Sequence, residues 1–408
     1  MSRILFLTPQ LPHPPHQGAA IRNLNLIKIA AQRHEVALYS FVRSPHERQA
    51  AEVLREWASE VRMFRAPKHG LAGRALRTAF SATPDMGRRL SSPEFAAAVQ
   101  TARADVVQAE GMEMAQYLSL AQPGSRRVLD CHNAEWVLQR RTFAVDLGRG
   151  RPVGAAYSLL QWLKLRLYER RACQDSHAVI AVSKEDRQAL CMLDPRLRVD
   201  VMPNGVDAGF FTPAVEPPRA ETFLFTGALD FRPNVDAVLW LVQDIWPLIR
   251  WHLPEAELTL AGRAPLPPVR RLHGRDGIRV IPNPPDIRPS FATAGVYLVP
   301  VRAGGGSRYK LLQALSMSLG IVSTTLGAEG IAVADGKHVR LADDANTFAD
   351  LAVELARDRQ QRARLGRAGR DLVLAQYDWP VLAPRLWAIY DHLLGRGSAR
   401  TGSPFALA

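Results

Sequence analysis

The sequence predicts an α/β protein built from two doubly wound domains. Its 408 residues give room for two hydrophobic cores at about 100–200 residues per domain. In both halves, short and nearly all-apolar runs alternate with helical patterns, which is typical of parallel sheets covered on both faces. Between the halves, residues 203–219 are rich in proline and turn-forming residues. This stretch predicts a linker that lies outside both cores.

The first half contains six predicted strands separated by helices. The strands are short apolar or β-branched runs at 4–8, 36–41, 61–65, 106–109, 128–131 and 179–182. Helical periodicity predicts helices at 19–32, 45–59, 93–102, 153–174 and 185–193. We therefore assign residues 1–203 to an N-terminal domain and residues 204–221 to the linker.

The same alternation restarts after the linker. Strands are predicted at 222–226, 257–260, 279–281, 296–300 and 321–324, and helices at 235–249, 307–317, 347–358 and 361–376. We assign residues 222–376 to a C-terminal domain, and the tail over 395–408 is predicted to be disordered. Two such halves predict a cleft between the carboxyl ends of their strands, where open α/β sheets bind ligands.

Composition excludes several classes of protein. The chain is 47% hydrophobic and 22% charged, which is too apolar for a disordered protein. Its sequence has no apolar run of about 18 residues that would span a membrane. Cys131, Cys173 and Cys191 follow no metal-ligand spacing. Because the first apolar run is too short for a signal-peptide core, we expect a cytoplasmic protein.

The net charge of +13 predicts a polyanionic partner, which is a nucleic acid, an anionic lipid surface or a phosphate-bearing substrate. The sequence shows no recognised nucleic-acid-binding module. It also lacks a G-x-G-x-x-G fingerprint after a strand, a complete P-loop and an H-E-x-x-H pair. Among these partners, the motifs therefore favour a phosphate-bearing substrate or a lipid surface over nucleic acid.

Residues 299–325 contain the strongest functional signal. A predicted strand is followed by three glycines, 304–306, and Ser307 then stands at an N-cap position before an amphipathic helix. Glycines let the backbone approach a ligand closely, and the free N–H groups at a helix start attract anions. Arg308 and Lys310 add charge to an end that is already positive, which favours a bound diphosphate. The alternative is an exposed basic turn capped by Ser307.

This segment resembles the sugar-nucleotide-binding signature of the GT-B glycosyltransferases of family 4. In that family a strand and a glycine-rich loop are followed by a G-[ST]-R-x-K-[IL]-L-E-A helix and a P-V-V-[AS]-T strand. The matching residues are Gly306, Ser307, Arg308, Lys310, Leu311, Leu312, Ala314, Ile321, Val322, Ser323 and Thr324. The resemblance implies the GT-B fold, in which two Rossmann-like doubly wound domains face each other across a cleft.

Two positions depart from the family pattern. The glutamate that holds the ribose hydroxyls in many relatives is Gln313 here, and the family's upstream glutamate is Gly305. A glutamine accepts a hydroxyl hydrogen bond without the strength of a charged acceptor. The resemblance implies that Gly305, Gly306, Ser307 and Gln313 bind the donor. It also implies that Arg308 and Lys310 are catalytic, because they neutralise the leaving diphosphate.

Other loops resemble further donor-binding segments of the family. The residues concerned are Gly18 in the first β–α loop, Gly227 and Arg232 after the first strand of the second domain, and Asn283 and Asp286 along the nucleobase. Arg232 is a candidate to replace an arginine of the family's phosphate motif, at whose position this chain has Ala228. The alternative is that the basic residues within 299–325 are sufficient. Residues 201–213 resemble the family's crossover between domains.

Residues 129–136, LDCHNAEW, place polar side chains at the end of a buried strand, where they are costly unless useful. The stretch resembles the family's D-x-H-N-x-E segment, in which the histidine lies beside the donor sugar and the acceptor. We therefore predict that His132 is catalytic and that Glu135 and Glu110 lie on the acceptor side. The alternatives are a capping cluster begun by Asn133 and an ordinary loop carboxylate at Glu110.

The predicted helix 153–174 combines leucines with Lys164, Arg166, Arg170 and Arg171. Apolar and basic residues on one helix suit the surface of an anionic membrane. The alternative is a helix that packs on its own sheet and turns its charges to water.

Over the whole chain, the resemblance implies a metal-independent retaining glycosyltransferase of surface or exopolysaccharide biosynthesis. It would move a sugar from a UDP- or GDP-linked donor to a glycan or lipid-linked acceptor on the N-terminal domain, to which the terminal helix, 377–394, returns. We expect no separate cofactor, no nucleic-acid partner, and peripheral contact with the inner face of the cytoplasmic membrane. Two alternatives stay open: an impaired GT-B nucleotide-binding protein, motivated by Gly305 and Gln313, and a basic protein that associates with membranes or nucleic acid.

Overall fold

The computed structural model describes residues 1–15, 17–44, 47–67, 81–148, 150–216, 218–303 and 309–396. It divides into two compact units. The first unit contains Met1–Pro203 and the chain from Leu382 onward, and the second contains Asn204–Val381. The predictions for Gly305, Gly306, Ser307 and Arg308, and for the tail from residue 397, lie outside the described residues.

The first unit contains a parallel sheet of seven strands in the order β3-β2-β1-β4-β5-β6-β7. These strands are β1 (Arg3–Thr8), β2 (Glu35–Val42), β3 (Glu60–Arg65), β4 (Val106–Glu110), β5 (Arg126–Cys131), β6 (Ala178–Ala181) and β7 (Val199–Val201). At the centre, Ile4 of β1 is in register with Val36 on one side and Val106 on the other. The order is that of a doubly wound sheet.

Helices of the first unit follow its strands in alternation. They are α1 (Gly18–Ala31), α2 (Glu47–Leu54), α3 (Pro93–Thr101), α4 (Glu135–Gly148), α5 (Pro152–Gln174), α6 (Lys184–Cys191) and the part of α14 (Trp379–Leu393) that begins at Leu382. Serine side chains cap two of them: Ser92 accepts from Phe95 N at the start of α3, and Ser183 accepts from Asp186 N at the start of α6.

The second unit contains a parallel sheet of six strands in the order β10-β9-β8-β11-β12-β13. Its strands are β8 (Thr222–Thr226), β9 (Glu257–Gly262), β10 (Ile278–Pro282), β11 (Val296–Val299), β12 (Gly320–Ser323) and β13 (Arg340–Leu341). Its helices are α7 (Arg232–Trp240), α8 (Trp246–His252), α9 (Pro267–Arg270), α10 (Arg288–Ala292), α11 (Tyr309–Ser316), α12 (Ala345–Arg357) and α13 (Arg359–Gln376). Two doubly wound parallel sheets confirm the predicted fold class.

Part of the segment predicted as linker belongs to a hydrophobic core instead. Val206, Ala208 and Phe211 are buried in the core of the second unit. Val206 N donates to Tyr377 O, and the segment is further held by Arg370, which donates to the Phe211 carbonyl. The proline content correctly indicated irregular backbone, but apolar residues between the prolines pack because burial of their surface is favourable.

Two predicted helices differ from the observed ones. The helix predicted at 235–249 is divided into α7, a π-helical turn at Leu241–Ile245 and α8. Pro247, in the first turn of α8, has no N–H to continue the ladder of hydrogen bonds. The helix predicted at 45–59 ends at Leu54, whose carbonyl accepts from both Trp57 N and Ala58 N in a turn, and Ser59 N then donates to Val36 O of the sheet. Residues 45–46 lie outside the described residues.

No helix among the described residues combines the length and the apolar character that crossing a bilayer requires.

Candidate functional site

The carboxyl edge of the first sheet brings together Glu110 and His132, which the sequence analysis singled out, and Asp130. Glu110 is the last residue of β4, Asp130 lies in the neighbouring β5, and His132 follows β5 directly. The Glu110 and Asp130 side chains are fully buried, whereas 17% of the His132 side chain is exposed. Glu110 is therefore a strand residue and not the loop carboxylate of the alternative interpretation.

Arg22 of α1 neutralises Asp130 through two hydrogen bonds. Its Nε donates to Asp130 Oδ2 at 2.7 Å and its Nη2 donates to Asp130 Oδ1 at 2.9 Å. Nη1 also donates to the Pro203 carbonyl at 3.3 Å. The two-point geometry matches a guanidinium to a carboxylate and offsets the large cost of burying both charges.

His132 and Glu110 form a second pair beside this one. His132 Nε2 lies 3.2 Å from Glu110 Oε2 and 4.0 Å from Asp130 Oδ2. In the amide orientation that satisfies its neighbours, Asn23 donates to the same Glu110 oxygen at 2.8 Å. Glu110 Oε1 accepts from Gln108 Nε2 at 2.7 Å. Both carboxyl oxygens of Glu110 are thus held by neighbouring side chains.

The environment shifts the protonation of this pair. Burial, together with the charge of Asp130, raises the pKa of Glu110 to about 7. Burial by itself lowers the pKa of His132, but the Glu110 hydrogen bond and the Asp130 charge outweigh it, so the His132 pKa is raised. The protonation of the two groups is therefore linked, and the partly exposed imidazole is the member that a ligand can reach.

The same three groups have the spacing of a metal site. One ligand atom each from Glu110, Asp130 and His132 lie within 4.8 Å of one another. Arg22, however, already donates to both Asp130 oxygens, and Gln108 and Asn23 donate to Glu110. A divalent cation would have to displace these donors and lie beside a buried guanidinium, so the residues present fit a hydrogen-bonded network better than a metal.

The start of α4 lies next to this network and is capped by other helices. Glu169 of α5 accepts from Glu135 N at 3.0 Å and from Trp136 N at 2.9 Å, and Asp186 of α6 accepts from Ala134 N at 2.8 Å. The side chain of Asn133 donates to Glu135 Oε1 at 3.0 Å and is not the cap. Because carboxylates at a helix start satisfy its free N–H groups, the cap comes from Glu169 and Asp186, which corrects the alternative of a capping cluster begun by Asn133.

Both glutamates at this helix start have raised pKa values. Burial raises the pKa of Glu135 to about 7 and that of Glu169 to about 8. At neutral pH these carboxyl groups are partly protonated, and a protonated carboxyl can donate as well as accept a hydrogen bond.

In the second unit, the carboxyl edge is built around Lys310. The side chain leaves the first turn of α11, and its Nζ donates to Asn234 Oδ1 at 2.7 Å. The ammonium lies 4.3 Å from the centre of the Phe225 ring. Gly227 follows β8 at this point, and a Cβ on it would lie 2.9 Å from Lys310 Nζ. Gly227 and Lys310, predicted from separate motifs, are therefore neighbours.

Asn283 and Asp286 are held by their own surroundings. Asn283 follows β10 with a φ of 49°, and its Oδ1 accepts from Ala264 N at 2.8 Å. Asp286 Oδ2 lies 2.7 Å from Arg288 Nη2, and this partner lowers the pKa of Asp286. Contact of these two residues with a nucleobase remains a prediction.

The remaining predicted donor residues lie at helix starts or within a helix. Gly18 is the first residue of α1, the helix that supplies Arg22, and Arg232 is the first residue of α7. Gln313 lies in α11 and is half-buried. For these residues, donor binding remains a prediction, as it does for Gly305, Gly306, Ser307 and Arg308, which lie outside the described residues.

The sequence did not predict several residues that lie at the carboxyl edges of the two sheets. In the first unit these are Arg22, Asn23, Gln108 and Tyr390, whose hydroxyl donates to Gln108 Oε1 at 2.7 Å. In the second unit it missed the role of Asn234. A signal was present for Gln108, which is a polar residue inside the apolar run of β4. The contact of Tyr390 with Gln108 joins residues far apart in the chain and had no local signal.

The chain matches two protein-family models. Residues 16–210 match the model described as Glycosyltransferase Family 4, and residues 220–358 match the model described as Glycosyl transferases group 1. Together the two models cover most of both units. The chain belongs to the group 1, family 4 glycosyltransferases, as the sequence motifs predicted.

Curated relatives agree with this family. The chain is 28% identical over 206 residues to phosphatidyl-myo-inositol mannosyltransferase of Mycolicibacterium smegmatis, covering 48% of this chain and 52% of that one. It is 26% identical over 134 residues to an uncharacterized 44.6 kDa protein in the cps region of Klebsiella pneumoniae, covering 31% of this chain and 34% of that one. The chain thus spans about half or less of the length of these relatives.

Solved structures resemble the whole chain in fold. Sucrose-phosphate synthase from Thermosynechococcus elongatus superposes with a TM-score of 0.72 at 16% identity, over 97% of this chain and all of the other. Anabaena HepE in complex with UDP and glucose gives 0.67 at 14% identity, over 96% of this chain and all of the other. These likenesses support the two-domain α/β fold of the GT-B class.

Proposed function

We propose that this protein is a glycosyltransferase that moves a sugar from a nucleoside diphosphate donor to a glycan or lipid-linked acceptor. The proposal rests on the position of Lys310, whose ammonium is fixed at the carboxyl edge of the second sheet beside Gly227. Family membership supports the reaction class, and a relative named as a phosphatidyl-myo-inositol mannosyltransferase supports a lipid-linked acceptor. A structural neighbour holds UDP and glucose, which supports a nucleotide sugar as donor.

In the reaction that we propose, neutralising the charge on the leaving diphosphate contributes more than a general base does. The bond between the anomeric carbon and the donor diphosphate breaks, and the diphosphate leaves with the electron pair. The acceptor oxygen bonds to the same carbon, and its proton passes to the leaving phosphate. Lys310, with Arg308, stabilises the negative charge that develops, which is usually the largest catalytic contribution. The expectations of retained configuration and of no metal rest on the family resemblance.

His132 has a different proposed role. Its imidazole is partly exposed, carries a raised pKa and is fixed by Glu110 on the buried side. A fixed, readily protonated imidazole suits hydrogen bonding to a hydroxyl of the transferred sugar, where it orients the reacting carbon. Glu135, with its pKa raised to about 7, is proposed to accept from or donate to an acceptor hydroxyl.

The test is a thermal-shift screen with UDP, GDP and ADP, followed by release of the nucleotide from their sugar conjugates. We expect one of these diphosphates to raise Tm, because a ligand that binds only the native state stabilises it. Lys310→Ala should remove that shift. If none stabilises the protein at millimolar concentration, the transferase proposal fails. Binding without release toward any acceptor would instead favour the impaired nucleotide-binding protein.

Gln313 offers a second test of the same pocket. If Gln313 faces the ribose hydroxyls, Gln313→Glu provides a charged acceptor and should tighten nucleotide binding about tenfold, as expected of a charge-assisted hydrogen bond. Isothermal titration with the stabilising diphosphate measures this directly. Equal or weaker binding would show that the ribose is held elsewhere.

Surface polysaccharide assembly is the setting that we propose, with contact at the inner face of the cytoplasmic membrane. A relative from a cps region supports the setting. The contact surface is the hairpin of α4 and α5, where the large apolar side chains Leu147, Val153, Tyr157, Leu163 and Leu167 are exposed. Between residues 136 and 174 the acidic residues are Asp146 and Glu169, and both are buried. The exposed hairpin surface is therefore apolar and basic, as an anionic lipid surface requires.

Vesicle sedimentation tests the membrane contact. We expect binding to vesicles that contain about one-third anionic lipid, with a loss on Arg166→Gln plus Arg171→Gln, because each basic residue contributes about 1 kcal/mol at such a surface. Arg359→Gln plus Arg367→Gln on α13 is the matched control, since it removes the same charge from another exposed helix. Equal loss in both double variants, or binding to DNA in place of vesicles, would overturn this contact.

A further inference from the structure

We infer that Asn234 is a positioning residue that holds the Lys310 ammonium where it faces the donor diphosphate. Tight donor binding, on this inference, requires an uncharged side chain at position 234. This inference rests on the proposed function. Its observation is the hydrogen bond of 2.7 Å from Lys310 Nζ to Asn234 Oδ1. Asn234 lies within α7, and the two residues belong to separate segments of the second unit.

The orientation of the Asn234 amide is fixed from its other end. Nδ2 donates to the Ala228 carbonyl at 2.9 Å, in the turn that follows β8. Asn234 is nearly fully buried. With its nitrogen engaged by a backbone oxygen, the side chain presents its own oxygen to Lys310. The amide therefore connects the β8 turn to the lysine.

Three surfaces confine the ammonium. Asn234 accepts its hydrogen bond, the centre of the Phe225 ring lies 4.3 Å away, and Gly227 lies close beside it. A Cβ on Gly227 would lie 2.9 Å from both Lys310 Nζ and Asn234 Nδ2. A lysine side chain loses rotamer freedom when it is held in one place. Fixing it before the donor arrives removes that cost from binding.

A neutral acceptor suits this task better than a carboxylate. An aspartate in the same position would make a stronger, charge-assisted bond with Lys310. It would also cancel the positive charge that attracts the diphosphate. Asparagine holds the ammonium and leaves its charge unchanged. Asn234→Asp adds a negative charge and also loses the N–H donor to the Ala228 carbonyl. The inference thus predicts that it harms donor binding more than removal of the side chain does.

The test measures Kd by titration of the diphosphate, UDP or GDP, that stabilises the native chain. We expect Asn234→Ala to weaken binding about fivefold, through lost positioning, and Asn234→Asp to weaken it tenfold or more, through lost charge. Asn346→Asp is the matched control, because it adds the same charge at an exposed position of the second unit; we expect less than about a twofold change there. In a Lys310→Ala background, Asn234→Ala should have no further effect, since the two residues act together.

The outcomes separate this inference from the proposed function. If neither diphosphate binds the native chain, both fail. If the native chain binds and Lys310→Ala weakens binding at least tenfold, but Asn234→Asp binds as tightly as the native chain, only the role of Asn234 is overturned. If Asn234→Ala weakens binding equally with and without Lys310, Asn234 acts independently of the lysine and the inference is also wrong. Melting curves of all variants without nucleotide identify any that fail to fold.

Discussion

The two carboxyl edges of this protein share a topology and differ in chemistry. In the first unit, the edge of β4 and β5 contains a group of charged and titratable side chains. Arg22, Glu110, Asp130 and Glu169 are fully buried, and Glu135 is half-buried. In the second unit, the edge of β8, β9 and β10 is shaped by backbone at Gly227 and Gly262 and carries the ammonium of Lys310.

This difference shows that one fold can build its carboxyl edge in two ways. It can pair buried charges, or it can pack backbone segments closely at glycines. A buried charge is costly unless it is paired with an opposite charge, so the stability of the first edge depends on the balance of charge. Glycines with no room for a Cβ let backbone segments approach closely, so the second edge depends on volume. We therefore expect the first unit to respond to changes of charge and pH, and the second to added atoms.

The largest expected effect is on the buried ion pair. Asp130→Leu leaves the Arg22 guanidinium buried without its carboxylate, and we expect a loss of about 3–5 kcal/mol in the free energy of unfolding. Urea unfolding measures it. Glu257→Gln, which breaks the exposed pair with Arg219, is the control and should lose little or nothing. Adding Arg22→Met to Asp130→Leu should restore part of the stability, and a double variant no better than Asp130→Leu would argue against the charge explanation.

A smaller effect is expected from one methyl group at the second edge. A Cβ on Gly262 would lie 1.7 Å from the Gly227 carbonyl oxygen, so Gly262→Ala must push two strand ends apart. We expect a loss of about 3 kcal/mol, typical of overpacking. Gly148→Ala, at the end of α4 where a Cβ meets no neighbour, should leave stability unchanged. Similar melting temperatures for Gly262→Ala and Gly148→Ala would contradict the close approach.

The smallest expected effect is on pH dependence. The pKa values of Glu110, Glu135 and Glu169 are raised to about 7, 7 and 8, so the native state holds protons that the unfolded state has released by about pH 6. Stability therefore falls as pH rises from about 6.5 to 8.5. We expect Tm to decline over this window, and Glu169→Gln to flatten the decline. A Tm that rises with pH there would show that these carboxyl groups are ionised in the native state.

Local patterns predicted most of the fold, because its strands are short apolar runs and its helices have clear periodicity. The divided helix around Pro247 and the short strands β7 and β13 were missed, since their limits depend on contacts with the rest of the chain. The segment at Val206–Phe211 was predicted as linker because prolines lie near it, but its apolar residues pack in the core of the second unit.

For the site, the sequence indicated His132, Glu135 and Lys310 but not what holds them. Arg22 was not predicted because its position within α1 gives no sign that its partner is Asp130, a strand residue far along the chain. Asn234 looked like a residue at a helix start, and only the folded chain shows it accepting from Lys310. Partners of this kind become visible once the sheet has brought distant segments to one edge.

The most direct measurement compares nucleotide binding in His132→Ala and Lys310→Ala with that of the native chain. Titration with UDP and GDP gives a Kd for each protein. We predict that Lys310→Ala weakens binding at least tenfold, because a charge facing the diphosphate is lost, while His132→Ala binds as tightly as the native chain and loses sugar transfer. Weakened binding in His132→Ala with unchanged binding in Lys310→Ala would contradict the assignment of the donor diphosphate to the second unit.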